Sequence, residues 1–307
     1  MKTILLILGF PKCGTSSLYY WLSDHPDISP SNPKETFFFM DKECLFQPPW
    51  KTQHSGGDFA SFFARDNKDI LLEASPFHFD QKTCFEYAGR NKNVKAIFVL
   101  RSPELRMYSS YLFFTQVIQG LRINSFSEFV DVVMHQSCVK GSLREIRFDY
   151  VLNNAFEWGR YVHYLDKWRS ALGNDRIFIG ALEEMETFPL TFLQKVCAWL
   201  GVSSRFFNQY NFKAINQSYS VRFPEVHRRL REIAGFNPMS KEELDTHLNS
   251  FYFLKSKRMR HCMNSLYSML QIKKNEMTPD DRKRIEQLKD MYRLDNLALL
   301  SGYGIKY

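Results

Sequence analysis

Residues 1–22 read MKTILLILGFPKCGTSSLYYWL, and this stretch decides the fold. Thr3 to Leu8 is an apolar run of strand length, and Gly9 closes it. Gly9-Phe10-Pro11-Lys12-Cys13-Gly14 supplies a turn. Thr15, Ser16 and Ser17 then open a segment in which Leu18, Trp21 and Leu22 fall at helical spacing. A strand, a glycine-bounded loop and a hydroxyl-rich helix start make an anion cradle. Backbone N–H groups point out of a helix N-terminus, and the helix dipole favours negative charge there.

The loop is a relative of the nucleotide-triphosphatase pattern G-x-x-x-x-G-K-[ST]. Gly9 and Gly14 keep its spacing and Ser16 keeps a hydroxyl, but Thr15 stands where that pattern has lysine. The lysine lies inside the loop, at Lys12, from where it still reaches a phosphate or bridging oxygen. Cys13 sits beside the helix start, where a thiol can be activated. The simpler reading is a small residue that fits the loop.

Further along, Ile70 to Glu73 is a short strand candidate ending in Ala74-Ser75-Pro76. Val94 to Leu100 is a stronger one ending in Arg101-Ser102-Pro103, with a helix from Glu104 to Val117 after it. Segments 125–138 and 155–172 read helical, Arg176 to Ile179 reads as a strand, and Leu190 to Leu200 is a helix stopped by Gly201. Residues 23–33 form a proline-punctuated loop, and residues 41–68 look like a polar surface excursion. Thr278-Pro279-Asp280-Asp281 is a capped helix start, and that helix is expected to reach about Leu300. Alternating strands and helices predict an α/β, P-loop-like three-layer fold with a central parallel sheet. The chain reads as a single domain, 1–307, with an α/β core over 1–201 and a mainly helical part over 202–307.

Among 307 residues, 44% are hydrophobic and 16% aromatic, enough for a sizeable core. The net charge of +8 suits a protein that handles anions. No stretch interleaves basic and aromatic residues as nucleic-acid modules do, so no nucleic-acid partner is expected. The basic clusters at Arg228–Arg231 and Lys255–Arg260 read as solvated helical faces or as contacts to an anionic ligand. Six cysteines without a C-x-x-C pair suggest neither a zinc site nor a disulfide framework. No run approaches the roughly 20 apolar residues of a membrane span, and no cleavage site follows the first strand. A soluble, cytoplasmic protein is the expectation.

A metal-dependent nucleotide enzyme needs an acid at the end of an apolar strand. The strand 96–100 ends instead in Arg101, which argues for direct phosphate binding without a metal. Ser109 lies about two turns along the following helix and can donate to the same phosphate. Glu73, at the other strand end, keeps a kinase-like alternative open.

The motifs PKCGTSSLYYWLSDHPDI, KETFFF, EASPFHF and VLRSPELRMYSSY resemble, in order and spacing, the sulfotransferases that use 3′-phosphoadenosine-5′-phosphosulfate (PAPS). The likeness is to the heparan-sulfate-type and bacterial carbohydrate branch. Arg160-Tyr161, Trp168 and the ending TPDDRKRIEQLKDMYRLDNLALLSGYG also look like that branch, so the resemblance spans most of the chain. It implies that Lys12, Cys13, Gly14, Thr15, Ser16 and Ser17 hold the 5′-phosphosulfate, with Lys12 catalytic at the bridging oxygen. It implies that Arg101 and Ser109 hold the 3′-phosphate. Glu35 matches the family's general base; beside Phe37 to Phe39, partial loss of water would strengthen it as a base. A surface glutamate paired with Lys34 is the plainer reading of the residues alone.

Lys34, Phe38 and His78 are candidate acceptor contacts, although a lone histidine is more often structural. Where several heparan-sulfate-type enzymes carry a lysine, this chain has Ala74. The expected activity is metal-independent, in-line sulfuryl transfer from PAPS to a hydroxyl or amine of a small-molecule or glycan acceptor. A magnesium-dependent kinase and a non-catalytic nucleotide-binding protein are the alternatives.

Overall fold

β1 (Thr3–Gly9) is buried from Ile4 onward on both of its faces, the pattern of a central strand in a parallel sheet, with a covering layer over each face and a paired strand along each edge. The computed structural model, which describes residues 2–42, 44, 58–64, 67–117, 123–135, 146–213, 220–221, 271–272 and 277–307, provides both. β3 (Ile70–Glu73) pairs with β1 on one side, in register Thr3 to Ile70 through Leu6 to Glu73. β4 (Val94–Leu100) pairs with it on the other. β2 (Ile28–Pro30) and β5 (Ile177–Ala181) form the edges, giving the order β2-β3-β1-β4-β5, parallel throughout.

Parallel pairing forces crossovers, and the helices supply them. α1 (Thr15–Ser23) follows β1, α2 (Lys82–Arg90) precedes β4, and α3 (Pro103–Val117) follows it. α4 (Phe126–His135), α5 (Ile146–Asn154) and α6 (Tyr161–Leu172) lead to β5, and α7 (Leu182–Thr187) and α8 (Pro189–Leu200) leave it. A two-stranded antiparallel pair, β6 (Ser220–Val221) and β7 (Gln271–Ile272), precedes α9 (Pro279–Met291) and α10 (Arg293–Tyr303). Among the described residues no helix is long and apolar enough to cross a membrane.

One consequence fixes the site. All carboxyl ends of a parallel sheet lie at one edge, so the chain after Gly9, Pro30, Glu73 and Leu100 emerges there together. β1, flanked by strands reached in opposite directions, is the switch point at which such sheets bind ligands.

Aromatic packing locks this edge. Phe10, fully buried just past β1, lies 4.5 Å from the Phe79 ring and 4.6 Å from the Tyr161 ring. Trp168 donates its indole N–H to the Phe79 carbonyl at 2.8 Å and packs on Phe98.

The boundaries differ from the sequence reading in four places. The proline-punctuated loop contains β2, whose Pro30 is tolerated because the strand is an edge. Segment 155–172 is not one helix: a 3-10 turn at Glu157–Gly159 precedes α6, with the buried Trp158 donating to Asp80 at 3.2 Å. In the polar excursion 41–68, Phe59, Phe62 and Phe63 belong to the core, with Phe59 against Phe38 and Phe39. The C-terminal helix breaks at Tyr292, whose buried ring stacks 4.7 Å from Phe156 and whose hydroxyl donates to the Phe156 carbonyl. The basic clusters at 228–231 and 255–260 lie outside the described residues.

Candidate active site

The loop after β1 has the geometry its glycines predict. Gly14 caps α1 with a left-handed φ of 80°, and a Cβ there would stand 2.5 Å from Leu182 Cδ1 and 2.8 Å from Met185 Cε. Only glycine fits. The first in-helix bond runs from the Leu18 amide to the Gly14 carbonyl, so the preceding amides at Thr15, Ser16 and Ser17 point out of the helix end. Lys12 itself has φ 68°, rare for a residue with a Cβ.

Cys13 takes a different place from its neighbours. Its amide donates to the Phe10 carbonyl at 3.1 Å, and its buried thiol lies 3.8 Å from the Tyr161 hydroxyl. Burial pushes that thiol up to about 11, against the lowering influence of Arg106, Tyr161 and Arg101. Cys13 shapes the loop and is not a reactive thiol.

Arg101 follows β4, the strand beside β1, and is half-buried; Ser109 is buried on α3. The turn carrying Arg101 is braced twice. Its carbonyl accepts from the Tyr161 hydroxyl at 2.7 Å, and the Ser102 amide donates to Glu183 Oε1 at 3.1 Å. Glu183 escaped the sequence reading. The signal was available: LEEMET follows the strand IFIGA directly, at the same sheet edge.

Residues 31–39 leave the edge strand β2 and are stitched onto the chain beyond β3. The Lys34 carbonyl accepts from the Ala74 amide at 3.3 Å and the Ser31 hydroxyl at 3.1 Å, and Glu73 Oε1 accepts from the Thr36 amide and hydroxyl at 3.1 and 3.0 Å. The Phe37 amide donates to Ser75 Oγ at 3.0 Å, and the Phe39 amide to His78 Nε2 at 3.3 Å. Phe37 is left-handed at φ 51°, so two strained non-glycine residues, Lys12 and Phe37, serve this edge.

These bonds assign His78 and Glu73. His78 is fully buried; with Nε2 accepting, its proton is on Nδ1, which faces Glu73 Oε2 at 3.4 Å. Buried and accepting from the Phe39 amide, its imidazole braces the segment that carries Glu35. Burial works to raise the Glu73 acid, but His78, Ser75 and Thr36 outweigh it and hold the carboxyl below its ordinary range. Glu73 also accepts from the Ser75 amide and hydroxyl. Its oxygens are spent on the loop, which removes the acid on which a kinase-like reading relied. Among the described residues no three His, Cys, Asp or Glu side chains gather into a metal-binding group.

Glu35 and Lys34 are the charged pair this scaffold presents. Lys34 Nζ lies 2.6 Å from Glu35 Oε1 and 3.3 Å from the Ala74 carbonyl, with the lysine side chain 6% and the glutamate 24% exposed. The ion pair of the plainer reading therefore exists, but its lysine is buried. Phe38 is half-buried among Phe39, Phe59 and Phe62.

The sequence profile of the sulfotransferase domain matches residues 2–298. The chain belongs to the sulfotransferase family of enzymes. A solved sulfotransferase from Alicyclobacillus acidocaldarius shares the fold, with a TM-score of 0.61 at 18% identity, covering 100% of this chain and 98% of that one. The bifunctional heparan sulfate N-deacetylase/N-sulfotransferase 1 of Caenorhabditis briggsae is 26% identical over 206 residues, 64% of this chain and 22% of the relative. Mouse carbohydrate sulfotransferase 15 is 26% identical over 297 residues, 78% of this chain and 53% of the relative. This sulfotransferase chain thus spans between about a fifth and about half of the length of those relatives.

Proposed function

We propose that this chain transfers a sulfuryl group from PAPS to a hydroxyl or amine of a carbohydrate or small-molecule acceptor. The observation that carries the reading is the neighbourhood of two anion-binding elements. The Lys12 loop follows β1, and the Arg101 turn, with Ser109 on the next helix, follows the adjacent β4. A ligand with phosphates at both its 5′ and 3′ ends uses both; a nucleoside triphosphate uses one. The relatives, a heparan sulfate N-deacetylase/N-sulfotransferase and a carbohydrate sulfotransferase, favour a sugar acceptor.

The donor supplies an activated sulfuryl group and leaves as adenosine 3′,5′-bisphosphate (PAP). The amides at the start of α1 and the hydroxyls of Thr15, Ser16 and Ser17 bind its 5′ end. Lys12 places positive charge where the leaving oxygen becomes negative, the kind of preorganised stabilisation that contributes most to such rates. Arg101 and Ser109 take the 3′-phosphate through charge-assisted hydrogen bonds. Glu35, with Oε1 fixed by Lys34, accepts the acceptor's proton on Oε2.

Glu35→Gln tests the assignment. The variant binds PAP as the wild type does and loses turnover by roughly 10²–10⁴-fold. Wild-type turnover in Glu35→Gln removes Glu35 as the base.

A further inference from the structure

The ammonium of Lys12 lies 3.9 Å from the centroid of the Phe113 ring, the shortest of the described cation–ring contacts. That is well inside the distance at which a ring face attracts a cation. Phe113 is on α3, four residues beyond Ser109, so the two stand on one helix face a turn apart. Its ring is half-buried and packs edge-on to Phe114 at 5.3 Å between centroids.

We propose that Phe113 is a positioning residue of Lys12. Its ring face seats the ammonium at the anion cradle before the donor arrives. A ring suits this task for a physical reason. A carboxylate would hold the lysine by neutralising it and would compete with the incoming oxygen. A neutral quadrupole holds the cation and leaves its full charge available. The placement on α3 adds a coupling. The helix that carries Ser109, assigned to the 3′-phosphate, also carries the seat of the lysine that serves the 5′ end, so one rigid element sets the distance between the two.

The seat itself is independent of what the protein catalyses; the kinetic consequence rests on the sulfuryl-transfer reading. The test uses the full chain with its lysines reductively methylated with 13C, which keeps their charge, and the Lys12 signal assigned by Lys12→Arg. A methyl group over a ring face resonates upfield of the other lysine methyls. Phe113→Leu returns the Lys12 signal to the common position, and Phe113→Tyr, which keeps the ring, holds it upfield. In unlabelled protein, Phe113→Leu lowers release of PAP from PAPS by roughly three- to thirtyfold. Phe113→Tyr restores the rate.

A wild-type Lys12 signal at the common position overturns the proposal, as does a Phe113→Leu variant with wild-type turnover. Failure of the sulfuryl-transfer reading looks different: PAP does not bind the wild type at all, while the resonance still decides whether Phe113 is the seat.

Discussion

Glu73 illustrates how one buried residue governs the placement of another, here Glu35, to which the proposed function gives the chemistry. It sits under the 34–39 segment and accepts from Thr36 and Ser75, so the backbone that carries Glu35 is built on it. Its acid is held below the ordinary value of 4.5, so the stability it contributes is present above that value and is lost as pH falls through the depressed one. Glu73→Gln, which cannot titrate, should be less stable at neutral pH by about 1–3 kcal/mol. It should also lose less melting temperature than the wild type between roughly pH 5 and pH 3. Parallel pH profiles for the two proteins would show that Glu73 does not carry the acid sensitivity. Lys12, Arg101 and Glu35 stand out in the sequence because each belongs to a local motif. The role of Glu73 does not, since it depends on segments 37 residues apart meeting at one sheet edge.

Elements were legible where their signals are local. β1, β3, β4 and β5 are apolar runs of strand length, and the stop of α8 at Gly201, with φ 80°, follows from the glycine. β2 was missed because three residues ending in proline carry no pattern, and only pairing with β3 makes them a strand. The break between α9 and α10 is tertiary as well, since Tyr292 leaves the helix to stack on Phe156. The start of α9 was readable and its weight can be measured. Thr278 Oγ1 accepts from the Asp281 amide at 3.1 Å, while Asp281 Oδ2 accepts from the Thr278 amide at 3.0 Å. α9 packs on α3 and α4, so this cap supports the helix that bears Ser109 and Phe113. Thr278→Ala should cost about 1 kcal/mol, read as a lower urea midpoint at unchanged slope. An unchanged midpoint would mean that packing alone holds the helix.

At the scale of the molecule, the parallel sheet does the gathering. Alternation of strands and helices predicted the sheet, but not its order, and it is the order β2-β3-β1-β4-β5 that puts the Lys12 loop beside the Arg101 turn. Phe59, Phe62 and Phe63 were read as surface because polar neighbours surround them, whereas they are buried and Phe59 packs against Phe38 and Phe39. The central claim is that the paired anion sites recognise a nucleotide with phosphates at both ends. The direct measurement is thermal unfolding with PAP and, separately, with ATP and magnesium. At about 100 times its Kd, a ligand stabilises the fold by roughly 2.7 kcal/mol, about 4 °C for a chain of this size. The account predicts that PAP raises the melting temperature by that amount and that ATP with magnesium leaves it near the ligand-free value. A shift with ATP and magnesium and none with PAP would contradict it.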